Sequence, residues 1–327
     1  LNVLLTGAAG FIGKNLLAYL KTKGIKVTCV VRDKQTLLDA DQNVDFSTVV
    51  EGDLTEPCTL AKLPQEADVL IHSAARLGEW GGEKRLIMQA NVEVTDNLLK
   101  WFSRTRCKQF LFISTPGVQG FGHKLAKETD PYHPRGVYEE SKVLAEERVR
   151  SHSFASGQYW TIIRPDFVYG PGDLRRIRLY KRIMTRKWVK IGKGTSVVRP
   201  THVGDVCRAV YMCLEAPRAY SQVFNIGGAE LMSSQEYINK IALILGVKLP
   251  PFRIPTAVAR MGAAASEWLA KITDTKPMVT RGQIEFLTED HGTEISKIRD
   301  VLGFEPTTGF DAGMRSTLSW ARGKNLL

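Results

Sequence analysis

The opening of this chain constrains its fold more than any other stretch. Asn2-Val3-Leu4-Leu5 reads as a buried strand, Thr6-Gly7-Ala8-Ala9-Gly10-Phe11-Ile12-Gly13 as a glycine turn, and Lys14 to Leu20 as an amphipathic helix. Each glycine has a physical task. Gly7 can take a φ closed to other residues, Gly10 lets a backbone approach a pyrophosphate, and Gly13 lets helix and strand pack closely. The free N–H groups of the first helical turn, at Phe11 and Ile12, add the positive end of the helix dipole. A strand before and a helix after are the context that turns such glycines into a dinucleotide-binding expectation.

The first half of the chain repeats that alternation. Lys26–Val31, Ser47–Val50, Val69–His72, Gln109–Ser114 and Trp160–Arg164 read as strands, with helical periodicity over Asn91–Phe102 and Tyr138–Arg150 between them. The expected fold class is therefore α/β: a Rossmann-type, doubly wound parallel sheet, with ligands at the carboxyl ends of its strands. Residues 1–170 form the dinucleotide-binding part, to which 196–226 return, and 171–327 form a smaller substrate-binding region. With 327 residues, 43% hydrophobic and 24% charged, the chain has enough apolar material for one large or two modest cores. Its five cysteines are scattered without metal-ligand spacing and their odd number argues against a disulfide framework, so no metal and a reducing, cytoplasmic setting are expected. No run reaches the ~18 apolar residues of a membrane span, and no charged-then-apolar leader opens the chain.

The Gly-x-x-Gly-x-x-Gly spacing after a Thr resembles the extended branch of the short-chain dehydrogenase/reductase superfamily. That resemblance implies further cofactor contacts. Asp53-Leu54 is similar to the family's adenine-binding pair, Ser73-Ala74-Ala75 to the small-residue turn along which the cofactor passes, and Pro165 to Val168 to the segment beside the nicotinamide. Arg76, just past the small-residue turn, is placed at the substrate. Cofactor choice rests on the end of the second strand. An acid about 20 positions beyond the glycine turn grips the ribose 2′-hydroxyl of NAD, whereas an Arg accommodates the 2′-phosphate of NADP. Val31-Arg32 stands there, so NADP is preferred and NAD stays open, since Arg32 could instead stack on the adenine.

The chemical centre is Tyr138-Glu139-Glu140-Ser141-Lys142. On a helix Tyr138 and Lys142 share a face. A phenol with a pKa of ~10 needs help to exchange a proton at neutral pH, and a nearby ammonium favours the phenolate. The resemblance makes Tyr138 the general acid or base, gives Lys142 the nicotinamide ribose as well, and puts the catalytic hydroxyl at Thr115 with Ser114 beside it. Asn91 resembles the family's helix Asn, which orders backbone and water.

The substrate is approached by exclusion. Pro116-Gly117 follow Thr115 where the family's dehydratases carry Asp-Glu, and Phe167 stands where its sugar-nucleotide epimerases usually carry Asn. An aromatic there suits an apolar substrate. The nearest branch holds 3β-hydroxysteroid dehydrogenase-like and dihydroflavonol reductase-like enzymes, which implies hydride transfer between NADP(H) and a carbonyl or hydroxyl of a steroid-, flavonoid- or keto-acyl-like molecule. Arg199 keeps a nucleotide-sugar epimerase in play, either binding a phosphate or anchoring its own loop; a non-catalytic NADP-binding regulator is the third reading, although such proteins typically lose the Tyr or Lys kept here. The formal net charge of +11 is concentrated between Arg175 and Lys193, with nine Lys or Arg and no acid. Ile177, Tyr180, Met184 and Trp188 recur there at helical spacing. A basic amphipathic helix of this kind is a solvated face, a peripheral membrane contact or a funnel for an anionic substrate. No nucleic-acid motif accompanies it. Ile254–Ile272 reads as an apolar helix, either packed in the core or mobile near the pocket. The resemblance also implies a homodimer through the Asn91 and Tyr138 helices.

Overall fold

Seven short runs rich in β-branched and aromatic residues pair side by side in a computed structural model describing residues 1–38, 48–78 and 82–327. They are β1 (Asn2–Thr6), β2 (Lys26–Val31), β3 (Val49–Glu51), β4 (Val69–His72), β5 (Gln109–Ile113), β6 (Tyr159–Pro165) and β7 (Gln222–Ile226). The sheet order is β3-β2-β1-β4-β5-β6-β7, and every pairing is parallel. Buried on both faces, these strands need apolar side chains on both, which is why they read as continuous runs. Sequence and structure agree on β2 and β4 to the residue; of the third expected strand, Ser47 lies outside the described residues.

The two faces are covered by different helices. On one, α1 (Phe11–Thr22) lays Leu16, Leu17 and Leu20 against Val3, Leu5 and Ile71. On the other, α2 (Val94–Phe102) and α3 (Val137–Ser151) pack Leu98, Phe102, Ala145 and Val149 against Leu4, Leu70, Phe110 and Phe112. Alternate residues of each strand thus feed opposite cores. The first face is completed from far along the chain, by α4 (Val203–Cys213) and by Ile295, Ile298 and Phe304. The return of residues after 196 therefore extends to this late segment, beyond the expected limit of 226.

The helix ending at Phe102 differs from its expected span. It begins at Lys84, and residues Gln89–Glu93 form a π-turn that swings the buried Asn91 inward. The basic stretch differs more. Its helix covers only Ile177–Met184, ending before Trp188, and Ile177, Tyr180 and Ile183 point into a third core with Tyr237, Ile241, Phe310 and Met314. Much of the apolar side of that segment is consumed internally.

Candidate active site

The carboxyl ends of the parallel strands gather the residues singled out above. Gly7 follows β1 with a φ of 72°, and a Cβ there would stand 2.6 Å from the Ala74 nitrogen; one on Gly13 would stand 2.0 Å from the Gly7 carbonyl oxygen. The turn is built without side chains because the β4 loop and α1 leave no room for them. Gly10 caps α1 without a side-chain acceptor, so the first-turn N–H groups of Phe11 and Ile12 stay available to an anion. This cradle fits the diphosphate of a dinucleotide.

Around the cradle, Arg32 is exposed at the end of β2, one residue past the buried Val31. Asp53 is exposed too, and its Oδ1 accepts from the Thr55 N–H and hydroxyl at 2.9 Å, while Leu54 is buried in the core. Ser73 and Ala74 are half-buried and Ala75 is exposed, with the Ala74 N–H donating to Thr6 Oγ1. Beneath them His72 contacts Thr6 and Thr95 hydroxyls at 2.7 and 3.1 Å, and burial, followed by the Lys142 charge, pushes it down to about 3. At neutral pH an uncharged imidazole anchors the floor.

Asn91 is the residue that joins the parts. Its Oδ1 accepts from the Arg76 N–H at 2.7 Å; its Nδ2 donates to the Arg76 carbonyl at 3.0 Å and to Ser141 Oγ at 2.8 Å, and Ser141 donates to the Tyr138 carbonyl. The π-turn thus clamps the β4 loop to α3. Arg76 is held there by its backbone, and its side chain is exposed.

Tyr138 and Lys142 stand one turn apart on α3, and Thr115 caps the short helix after β5, its Oγ1 accepting from the Gly117 N–H at 3.2 Å. The Thr115 proton is left to donate. Ser114 is buried beside the Glu146 carboxylate, its hydroxyl making no hydrogen bond. One expectation is corrected. The phenol of Tyr138 is pushed up to about 12 by burial and by Glu139, opposed by Arg175, and Lys142 is not among the charges acting on it. The reason is where the ammonium points. Lys142 Nζ donates to the Ile113 carbonyl at 2.6 Å and lies 4.0 Å over the Phe112 ring.

Burial also lowers Lys142 to about 7, against a smaller upward pull from Glu146. Between that value and the 10.5 of an unburied lysine, the unfolded chain holds a proton that the folded chain has lost, so this group adds stability as pH rises through that window. Urea melts should show that slope in the wild type and a shallower one in Lys142→Met.

Behind the pair, Arg164 of β6 grips Glu146 with two hydrogen bonds, 2.9 and 2.6 Å, both side chains fully buried, and Tyr132 donates to the same carboxylate at 2.7 Å. This network fixes α3 to the sheet.

Pro165 ends β6, and Val168 opens a two-residue strand beyond it. Phe167 sits between at a φ of 37°, a left-handed conformation that costs an aromatic residue strain. Its ring stacks on Phe286 and His291 at 5.6 Å, with the Arg176 guanidinium 4.5 Å away. These groups wall a cavity of about 150 Å³, completed by Leu179, Trp188, Ile191, Val198 and Ile238. Arg175, which acts on the Tyr138 phenol, and Arg176, in the cavity wall, are consecutive, so this segment links Tyr138 to the cavity. In the sequence Arg176 reads only as one member of the basic run. Its signal was Asp173, three residues earlier, which accepts from it at 2.6 Å.

Arg199 is turned inward. It is 8% exposed, donates to the Gly228 carbonyl at 3.0 Å and faces Asp166 and Glu294. Gly227 makes the space, since a Cβ there would stand 2.2 Å from Arg199 Cδ. Of the two roles open to it, the geometry is that of a loop anchor.

The model of the NAD dependent epimerase/dehydratase family matches residues 3–227. Among curated proteins, the chain is 25% identical to the 2-alkyl-3-oxoalkanoate reductase of Shewanella oneidensis, covering 96% of this chain and 84% of that one. It is 28% identical to the 3 beta-hydroxysteroid dehydrogenase/Delta 5→4-isomerase of Mycobacterium tuberculosis, over 93% and 86%. Among solved structures, UDP-glucuronic acid 4-epimerase from Bacillus cereus, in complex with UDP-glucuronic acid and NAD, superposes with a TM-score of 0.78 over 99% of this chain and 100% of that one, at 24% identity. A likeness at that identity speaks to the fold alone.

Proposed function

Because the chain belongs to the NAD dependent epimerase/dehydratase family, we propose that it is an NADPH-dependent reductase of a ketone or aldehyde on an apolar molecule of steroid, flavonoid or keto-acyl type, or the NADP-dependent dehydrogenase of the corresponding alcohol. The observation that carries this reading is the cavity behind Phe167, whose wall is mostly rings and aliphatic side chains, suited to a hydrocarbon skeleton, with Arg176, Lys190, Ser234, Gln235 and His291 as its polar groups. The inward set of Arg199 supports it further, as that guanidinium is engaged by the Gly228 carbonyl of the loop after β7.

The glycine cradle would hold the dinucleotide's diphosphate, Arg32 its 2′-phosphate, and Lys142 its nicotinamide ribose; when bound it supplies or accepts the hydride. The rest falls to the chain's own groups. Thr115 donates a hydrogen bond to the substrate oxygen and turns it toward Tyr138. Protonated at neutral pH, Tyr138 gives its proton to that oxygen as the alcohol forms. Arg175 stabilises the negative charge left on the phenol.

A carbonyl and alcohol panel followed at the nicotinamide absorbance tests this, with steroids, flavonoid-like ketones, long-chain β-keto compounds and sugar nucleotides. Turnover of apolar ketones with NADPH is expected. Epimerisation of a sugar nucleotide without net cofactor consumption would replace the reading by the epimerase one. For the cofactor, Arg32→Ala should lower the NADPH-to-NADH affinity ratio by about 10- to 100-fold, the worth of a charged hydrogen bond of roughly 1.5–3 kcal/mol. An unchanged ratio in direct titration would remove Arg32 from the selection.

A further inference from the structure

The helix over Thr256–Thr273, α5 here, reverses the usual arrangement of an amphipathic surface helix. Its buried face is made of Ala263, Glu267 and Ala270, three positions within one sector of the helical wheel. Val258, Met261, Trp268, Leu269 and Ile272 fall on the opposite sector and are 55–73% exposed. Met278, just beyond, is 95% exposed. This is a continuous apolar ridge of four turns facing outward, longer than scattered surface apolar residues require. No helix among the described residues is long and apolar enough to cross a membrane, so the ridge is not half of a span.

The surroundings of the ridge are cationic. Arg260 and Lys271 stand on one side of the stripe on the helix itself, both exposed, Arg260 with Glu289 at 3.5 Å. Arg253-Ile254, immediately before the helix, pair in parallel with Lys190-Ile191. That pairing brings up the basic stretch, where Arg178, Lys181, Arg182, Arg186 and Lys187 are all exposed. The acids on α5 and in the turn after it are two, and Glu267 is buried and bound to Arg281 at 2.8 Å.

We propose that this ridge and its cationic border form a docking surface for an anionic lipid bilayer, with α5 lying in the interface plane, its apolar side chains among the acyl chains and the basic stretch at the headgroups. The charge pattern argues for this occupant over a second copy of the chain. A two-fold self-contact through the ridge would bring the same cations of both copies together, whereas acidic headgroups neutralise them. The shape argues likewise, since a convex ridge of one helix, apolar along its length, suits a fluid apolar medium. Because Trp188, Lys190 and Ile191 line the cavity and Lys190-Ile191 border the ridge, docking would set the cavity wall against the membrane surface.

The test uses the full chain and vesicles of phosphatidylcholine with or without phosphatidylserine, read by co-sedimentation and by quenching of Trp fluorescence with brominated lipid. Partition onto phosphatidylserine vesicles is expected, weaker at high salt, and at least tenfold weaker in a Met261→Ser/Trp268→Ser/Ile272→Ser variant. These side chains are exposed, so the variant should keep the wild-type melting temperature. In Trp268→Phe the brominated-lipid quenching should fall. Absence of vesicle binding overturns the proposal, as does binding that the triple variant leaves unchanged. Concentration-dependent dimerisation abolished by the same variant, seen by sedimentation equilibrium, would assign the ridge to a second copy instead. None of these readouts depends on the substrate or on turnover.

Discussion

Tyr138→Phe should keep the wild-type melting temperature and dinucleotide affinity while kcat falls by about 10²–10⁴-fold, the range removed with a positioned general acid. The expectation follows from where the hydroxyl stands. Among the described residues it has no hydrogen-bond partner, so losing it leaves no buried group unsatisfied. Burial and Glu139 push the phenol up to about 12, with Arg175 opposing them. At neutral pH it is therefore protonated, the form that reduction needs. Oxidation needs the opposite form, whose fraction grows about tenfold for each pH unit below the pKa. Alcohol oxidation should accordingly rise with pH between about 7 and 10, with ketone reduction flat over the lower part of that window, and the variant should lose the rise. Full activity in Tyr138→Phe would dismiss the mechanism; a collapsed melting temperature would reassign the residue to structure.

The second large effect concerns a pair that never touches substrate. Arg164→Met strands the Glu146 carboxylate in the core and should cost about 3–5 kcal/mol in urea unfolding, the penalty for removing one partner of a buried ion pair. Burial raises Glu146, but the two hydrogen bonds and charge of Arg164 outweigh it and hold the carboxyl below its ordinary value. Its contribution is thus present above the unfolded value and lost as pH falls through the folded one. Acid should unfold the wild type with that loss, and Arg164→Met should lack the corresponding slope. Replacing both partners together, Glu146→Leu with Arg164→Met, should recover much of the stability. If the single variant melted like wild type, the pair would have no part in holding α3. Since α3 carries Tyr138 and Lys142, the destabilised variant should also lose kcat at temperatures where it is still folded.

What the sequence made legible is local. The glycine turn, the strands through Pro165 and the shared face of Tyr138 and Lys142 each depend on neighbours within a few residues, and periodicity and motif context report such neighbours. What it hid depends on orientation against distant chain. Lys142 turns to Ile113, 29 residues back, and Asn91 reaches Ser141, 50 residues on. Periodicity located the apolar stripe of α5 but could not say which side meets the protein, and packing chose the alanine side. Arg199 looked like a ligand group because its chain position does; only the closeness of Gly228 shows where its guanidinium goes.

The late return of Ile295, Ile298 and Phe304 to the first core bears on how the chain is made. During synthesis β1, the glycine turn and α1 leave the ribosome long before Ile295, Ile298 and Phe304 do, so the part of the first core that these three residues cover stays open until they arrive, even after α4 has packed. Until then the nascent sheet carries an apolar strip open to whatever chaperones are at hand. A fragment ending at residue 227 would keep that strip open permanently, and is expected to aggregate where the full chain does not.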